Sequence, residues 1–216
     1  MTDIELRHAL IETCRAMDRL GLTRGTSGNV SVRSGGDFLI SPTGIAYHAL
    51  TPELVVHMDD TGGYEGSVRP SSEWRFHRDI HRQRPDVNAV VHTHSTHATA
   101  VAVLGLPIPA LHYSVAEAGG TDVRCAPYAL FGTQALSDAA LAALAGRRAC
   151  LLAHHGVIAC GPDLPRALAL AVTVEELARL LLLCRAAGNV PVLGEAAMGE
   201  VLEQYKTYGQ QPASPG

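Results

Sequence analysis

The chain predicts an α/β domain in which a mixed sheet is layered with helices. Apolar runs of strand character interleave with segments of helical spacing along its length. Several strand runs are joined by short turns, whereas parallel neighbours need long crossovers, so a purely parallel sheet does not fit. No internal repeat and no linker long enough to separate domains breaks the pattern. Residues 1–216 are therefore expected to form a single domain, with a flexible tail over about 209–216 where Pro, Ser and Gly collect.

The elements follow in order. Asp3 is a candidate cap for a helix whose apolar positions are Leu6, Leu10, Met17 and Leu20, with Ile11 and Cys14 beside them and Gly21 as the stop. Val30-Ser31-Val32-Arg33 alternates like a strand, turns at Gly35-Gly36 and returns as Phe38-Leu39-Ile40, a hairpin. Leu54 to Met58 reads as a further strand. Pro70-Ser71-Ser72-Glu73 opens a helix over Trp74 to Arg84, with a serine cap and a carboxylate in the first turn, and Pro85 ends it. A strand over Val87 to Val91 runs into a histidine cluster, and a helix from Thr96 to Leu104 follows. Ile108 to Tyr113 is expected to be extended, and Glu117 to Gly120 a loop. Thr133 to Leu144 is helical, strands lie at Ala149–His154 and Val157–Cys160, and Asp163 caps the longest helix, Leu164 to Ala187, with Pro165 in its first turn. An amphipathic helix, Glu195 to Tyr205, comes last.

Composition narrows the function. Of 216 residues, 47% are hydrophobic, 18% charged and 5% aromatic, a globular balance. The formal charge of −4 comes without any block of Lys or Arg, so a nucleic-acid partner is not expected. The most apolar run, Leu180 to Cys184, is far too short to span a bilayer, and Met1 to Arg15 mixes charge with apolar residues, unlike a signal peptide. Five cysteines with no C-x-x-C pair argue against a disulfide framework and for a reduced, cytoplasmic setting.

The chemistry centres on Val90-Val91-His92-Thr93-His94. In an extended chain residues two apart share a side, so His92 and His94 would present both imidazoles to one neighbour. A divalent metal suits such a pair, although a lone His-x-His more often packs in a core or sits on a surface. Two histidines do not complete a site, and the best distant candidates are His154-His155-Gly156, at the end of the apolar run Ala149 to Ala153. Three loops, Gly25-Thr-Ser-Gly-Asn29, Ser41-Pro-Thr-Gly44 and Ser71-Ser72, combine glycine with small hydroxyl or amide side chains, a chemistry that cradles phosphate through backbone N–H groups. Taken singly, each is also an ordinary turn. Glu73 has two readings: a carboxylate stabilising a helix N-terminus, or a group that alternates between binding a metal and moving a proton.

Together these residues carry a resemblance. Gly-Thr-Ser-Gly-Asn-Val-Ser at 25–31, Ser-Pro-Thr-Gly at 41–44, Ser-Ser-Glu-Trp-Arg-Phe-His at 71–77, Val-Val-His-Thr-His at 90–94 and His-His-Gly at 154–156 resemble the class II aldolase/adducin family. Within it, the chain looks most like bacterial aldolases of L-fuculose 1-phosphate. Ala-Pro-Tyr-Ala at 126–129, Phe131-Gly132-Thr133 and Lys206-Thr207-Tyr208-Gly209 extend the match over nearly the whole chain. The resemblance implies a three-layer α/β/α sandwich around a mixed, largely antiparallel sheet, and a cyclic homotetramer with active sites at subunit interfaces. It implies Zn²⁺ held by His92, His94 and His155, with Glu73 as a fourth ligand at rest. It places a sugar phosphate's phosphate on Gly28, Asn29, Thr43, Gly44, Ser71 and Ser72. Glu73 would move the C3 proton, Tyr113 would reach the neighbouring subunit's site to serve the C4 hydroxyl, and Tyr208 would belong to a mobile tail. His97 and His154 are not ligands in this reading.

The implied reaction is reversible cleavage of a ketose 1-phosphate to dihydroxyacetone phosphate and an aldehyde. Ser27 and Thr93 stand where the fuculose-phosphate branch has Ala and Asn, Glu117 replaces an apolar residue, and Tyr205 replaces Phe. Glu117 and Tyr205 lie where the aldehyde half could be met, which leaves 5-deoxyribulose and 5-methylthioribulose 1-phosphates open beside L-fuculose 1-phosphate. A pentulose-phosphate 4-epimerase shares the metal site but would carry Asp in place of Glu73. A methylthioribulose-phosphate dehydratase is a more distant relative of the same fold, and a non-catalytic adducin-like module would lack the ligand histidines.

Overall fold

In a computed structural model, which describes residues 1–208, one seven-stranded sheet runs in the order β3-β2-β1-β4-β7-β6-β5. The strands are β1 (Asn29–Ser34), β2 (Asp37–Ile40), β3 (Val56–Met58), β4 (Ala89–Thr93), β5 (Arg124–Ala126), β6 (Ala149–Leu152) and β7 (Gly156–Gly161). Every neighbouring pair is antiparallel except β5 with β6. The helices are α1 (Asp3–Arg19), α2 (Trp74–Gln83), α3 (Thr96–Val103), α4 (Gln134–Ala143), α5 (Leu164–Ala187) and α6 (Glu195–Tyr205). The mixed, largely antiparallel sheet with helices on both faces is the architecture expected. None of these helices is long and apolar enough to cross a membrane, and no disulfide joins the five cysteines. The expected flexible tail, 209–216, lies outside the described residues.

Strand alternation sorts the sheet into two cores. Ala89 and Val91 of β4, Val157 and Ala159 of β7 and Val30 and Val32 of β1 face α1, α3, α5 and α6. Val90, Ile158, Cys150 and Cys160 face the opposite way, against Phe76 and Ile80 of α2 and Leu136 and Ala140 of α4. By the same parity His92 belongs to the α2 side. A third cluster, Phe38, Ile40, Val56 and Met58, extends that side beyond β1. Each fully buried aliphatic side chain in these layers contributes about 1.5–3 kcal/mol.

Several boundaries differ from expectation. Thr2, not Asp3, caps α1: its side chain accepts from Glu5 N while Glu5 reaches back to Thr2 N, a reciprocal capping box. Of the predicted strand at Leu54 only Val56–Met58 pairs into the sheet, because Pro52 starts a 3-10 turn over Pro52–Leu54. Tyr113–Ala118 is a 3-10 helix rather than the end of an extended segment. Strand β5 was not foreseen; it is three residues long and half exposed, too short for a period to show.

The Ser71-Ser72 cap is also not what forms. Glu73 itself occupies the cap position of α2, its side chain makes no capping bond, and Ser71 Oγ accepts from the Glu73 backbone N–H at 3.3 Å. The carboxylate thus leaves the helix axis and turns toward the histidines. At the other end of α2, Arg33 from β1 donates to the carbonyls of His81, Arg84 and Val87, closing that terminus onto the sheet. The N-terminus of α3 is closed from a distance: Glu175 on α5 accepts from the backbone N–H groups of His97 and Ala98 and from His97 Nδ1.

Glycine meets a hard limit at Gly156, where β7 starts under the end of β4. A Cβ there would overlap the Thr93 carbonyl oxygen and press on the His94 ring. Gly156→Ala is expected to cost about 1–3 kcal/mol of stability through overpacking. Gly199→Ala, in open space inside α6, is expected to gain about 0.5–1 kcal/mol. Urea denaturation of the two variants beside the parent checks both signs.

Candidate active site

The site forms where β4 ends, β7 begins and α2 starts. His92 is the penultimate residue of β4 and fully buried. His94 follows the strand end, and His155 sits in the turn between β6 and β7. That turn requires a left-handed residue, and His154 supplies it with φ of 56°, an uncommon conformation for a side chain other than glycine. Glu73 enters from the start of α2. One ligand atom from each of Glu73, His92, His94 and His155 lies within 4.8 Å of the others. The four predicted metal ligands converge.

The hydrogen bonding shows that this cluster fits a cation. His92 Nδ1 lies 2.8 Å from the Val157 carbonyl oxygen, which can only accept, so Nδ1 carries a proton and donates, and Nε2 is the ring nitrogen turned to the cluster. His92 Nε2 faces His94 Nε2 at 2.9 Å and Glu73 Oε2 at 3.1 Å. Glu73 Oε1 lies 3.1 Å from His155 Nε2 without the alignment of a hydrogen bond, and it is buried. Three imidazole nitrogens and a buried carboxylate converging on one point inside a protein suit a positive centre between them. The donor set, three imidazoles and one carboxylate, is that of a divalent transition metal with tetrahedral preference.

Electrostatics prepare the ligands. Burial would raise the Glu73 pKa, but the adjoining His92 and His155 outweigh it and hold the carboxyl well below the usual carboxylate range, so Glu73 is ionised. Burial, reinforced by His92 and His155, lowers His94 to about 3, which leaves its ring unprotonated at neutral pH.

A cleft of about 330 Å³ opens beside the cluster. It is lined by Gly28, Asn29, Thr43, Gly44, Ser71 and Ser72, all six predicted phosphate residues, together with Glu73, His94 and His155. No Lys or Arg is among its lining residues. Gly28 and Gly44 adopt φ of 88° and 70°, the conformation that frees the backbone to approach a ligand. The Thr43 backbone N–H is engaged by Arg69 O, so the Thr43 hydroxyl is what remains to offer. The Asn29 side chain is committed elsewhere: its Nδ2 donates to Glu73 Oε2 at 3.1 Å and its Oδ1 lies 2.5 Å from His77 Nε2.

The cleft's far wall is Tyr128, Ala129, Phe131 and His154, which the sequence offers in recognisable motifs without giving them a place in the site. Tyr128 and Phe131 are 64% and 62% exposed, and Tyr128 meets the His154 ring edge-on. The signal was there in Tyr128-Ala-Leu-Phe131, an aromatic loop with no helical or strand period. The other predicted residues lie away from this cleft. Tyr113 is 52% exposed and Tyr208 74%, and neither lines it. Both rings instead flank Tyr205, at 6.5 and 5.4 Å between centroids. Tyr205 donates its hydroxyl to Glu117, which also accepts from Thr173. The two departures at 117 and 205 are therefore bonded to each other, and they hold α6 against α5. His97 is outside the cluster, paired with Glu175.

Comparison with known proteins agrees with this geometry. The family model of the class II aldolase and adducin N-terminal domain matches residues 8–182. A 5-methylthioribulose-1-phosphate/5-deoxyribulose-1-phosphate aldolase of Rhodospirillum rubrum is 52% identical, over 98% of this chain and 96% of its own. An L-fuculose phosphate aldolase of Escherichia coli K12 is likewise 52% identical, over 95% of this chain and 96% of its own. Among solved structures, an L-fuculose 1-phosphate aldolase superposes with a TM-score of 0.92 at 37% identity, covering 95% of this chain and 98% of that one.

Metal binding should be measurable without any substrate. At a hundred times its dissociation constant, a divalent metal is expected to stabilise the fold by about 2.7 kcal/mol. Thermal melts of chelated and zinc-reloaded protein should separate accordingly, and His155→Ala should abolish most of that separation. Coincident melts in the parent protein would refute the metal site.

Proposed function

The chain belongs to the class II aldolase and adducin family and is an aldolase, and we propose that it cleaves a ketose 1-phosphate reversibly to dihydroxyacetone phosphate and an aldehyde. The observation that carries the reading is one cleft with a three-histidine, one-carboxylate cluster at one end and Gly/Ser/Thr loops at the other. The loops bind the phosphate through backbone N–H and hydroxyl groups, and they hold the non-reacting end so that the reacting carbons meet the cluster. Zn²⁺, held by His92, His94 and His155 with Glu73, would supply a Lewis acid for the negative charge left on the three-carbon fragment.

The protein's own groups do the rest. Glu73, ionised and at the edge of the cleft, takes the C3 proton of dihydroxyacetone phosphate in synthesis and returns it in cleavage. A positioned base of this kind contributes about 10²–10⁴-fold. Tyr128 and Phe131 wall the cleft with apolar surface where the aldehyde's carbons would lie. Tyr113 serves the C4 hydroxyl and Tyr208 closes over the substrate, both in the site of a neighbouring subunit. What supports that division is their exposure and their distance in sequence and space from the cleft of their own chain. It entails a homo-oligomer, a cyclic tetramer in this reading. The unpaired cysteines suit a cytoplasmic setting.

The relatives named above act on 5-methylthioribulose, 5-deoxyribulose and L-fuculose 1-phosphates. Zinc-loaded protein should therefore condense dihydroxyacetone phosphate with lactaldehyde, acetaldehyde or methylthioacetaldehyde, and the fastest of the three identifies the substrate. Ribulose 5-phosphate epimerisation that outruns every aldol reaction would replace the aldolase reading with the epimerase one. Glu73→Gln should lower exchange of the C3 proton of dihydroxyacetone phosphate by about 10²–10⁴-fold. Exchange at the parental rate would remove Glu73 from this role.

A further inference from the structure

Behind Glu73 a line of buried polar groups runs between the sheet and α2. Asn29 Nδ2 donates to Glu73 Oε2, Asn29 Oδ1 meets His77 Nε2, His77 Nδ1 lies 2.7 Å from Ser31 Oγ, and Ser31 Oγ lies 2.8 Å from His81 Nε2. Asn29, Ser31, His77 and His81 are each no more than 4% exposed. The line fits because two residues of strand, about 6.6 Å, match four residues of helix, about 6 Å. Asn29 and Ser31 on β1 thereby face His77 and His81 on α2, with Phe76 stacked on His77 and Phe38 against His81.

The direction of every bond follows from the charge at one end. An ionised carboxylate only accepts, so the Asn29 amide must turn its NH₂ toward Glu73 and its oxygen toward His77. His77 must then donate from Nε2 and, as a neutral ring, accept at Nδ1. Ser31 gives its proton to that nitrogen and accepts from His81 Nε2–H. Burial keeps His77 well below its ordinary pKa and takes His81 down to about 3, so both rings are neutral. An amide cannot pass a proton along, so the line orients and does not conduct.

We propose that His77 is a positioning residue for Glu73: its Nε2–H locks the Asn29 amide in the one orientation that gives Glu73 a donor. Without that donor Asn29 Oδ1 is left a buried acceptor with no partner, and the amide tilts to find one, loosening its bond to Glu73 Oε2. The carboxylate then loses its fixed edge and its aim at both metal and substrate. This deepens the reading of Glu73 as proton carrier and depends on it for the kinetic readout alone.

The parent chain, labelled with ¹⁵N-histidine, tests the geometry directly. His77 is expected as the neutral Nε2–H tautomer throughout the neutral pH range, and an Nδ1–H tautomer or an imidazolium overturns the proposal. Two variants test the consequence. His77→Phe keeps the stack on Phe76 and removes the donor, whereas His77→Gln places an amide N–H near the position of Nε2. His77→Phe should weaken cobalt(II) binding and lower kcat for C3-proton exchange by about 10–100-fold each, with KM for dihydroxyacetone phosphate unchanged. His77→Gln should recover most of both. Equal losses in the two variants would reduce His77 to packing and refute the proposal. If Glu73→Gln exchanges at the parental rate, the role of Glu73 fails, while cobalt affinity and the tautomer still decide that of His77.

Discussion

Glu73 carries a negative charge at 6% exposure, and the geometry around it is a response to that charge. Removing a carboxylate from water costs several kcal/mol unless its oxygens are met by donors or a cation. One oxygen receives the Asn29 amide. Both oxygens face imidazole nitrogens, and of these His92 Nε2 is aimed at the cluster by the bond from Nδ1 to Val157. The same four groups that crowd this carboxylate form a set of ligands. A cation bound there would serve both the stability of the site and its chemistry.

The sheet decides where that charge can sit. β4 is the central strand, paired on both sides, with β1 opposite His92 at Asn29 and β7 opposite it at Ile158. The register holds the His92 ring against Val157, and the parity of β4 and β1 sends His92, Asn29 and Ser31 all toward α2. His155 comes to the same point because the turn at 153–155 is tight, with His154 left-handed and Gly156 packed under Thr93. The left-handed His154 and the close-packed Gly156 show what bringing three rings to one point requires.

Much of this could be read from residue patterns. His92 and His94 share a side because a strand alternates. The helices Leu164–Ala187 and Glu195–Tyr205 have the bounds their caps and spacing indicate. The three hydroxyl-rich loops line one cleft, as their common composition suggests. What could not be read depends on contacts between distant segments. Glu73 looks like a helix-stabilising acid in sequence, and only the approach of β4 shows it turned away from the helix. Asn29 looks like a phosphate residue, but its side chain is already used on both ends. Asn29-Val-Ser31 and His77-x-x-x-His81 are unremarkable apart; their meaning lies in β1 packing on α2. Tyr113 and Tyr208 leave the cleft of their own chain, a placement that no periodicity encodes.

Among the described residues no Lys or Arg lines the cleft proposed to take a phosphate, and the same carboxylate gives a reason. An ammonium or guanidinium within reach of Glu73 would pair with it, satisfy its oxygens and compete with a metal for them. It would also hold the pKa of Glu73 down at the moment the group has to accept a proton. Backbone N–H groups, small hydroxyls and the positive end of α2 attract a phosphate with partial charges only, and these fall off within a turn of helix. A divalent metal held by the three histidines and one carboxylate would leave the site net positive and so draw an anionic substrate inward. Binding at one end and proton transfer at the other can then be tuned separately. In the proposed reading the phosphate site is built from glycine, serine and threonine, while Arg33, Arg78 and Arg84 bond to carbonyl and carboxylate oxygens.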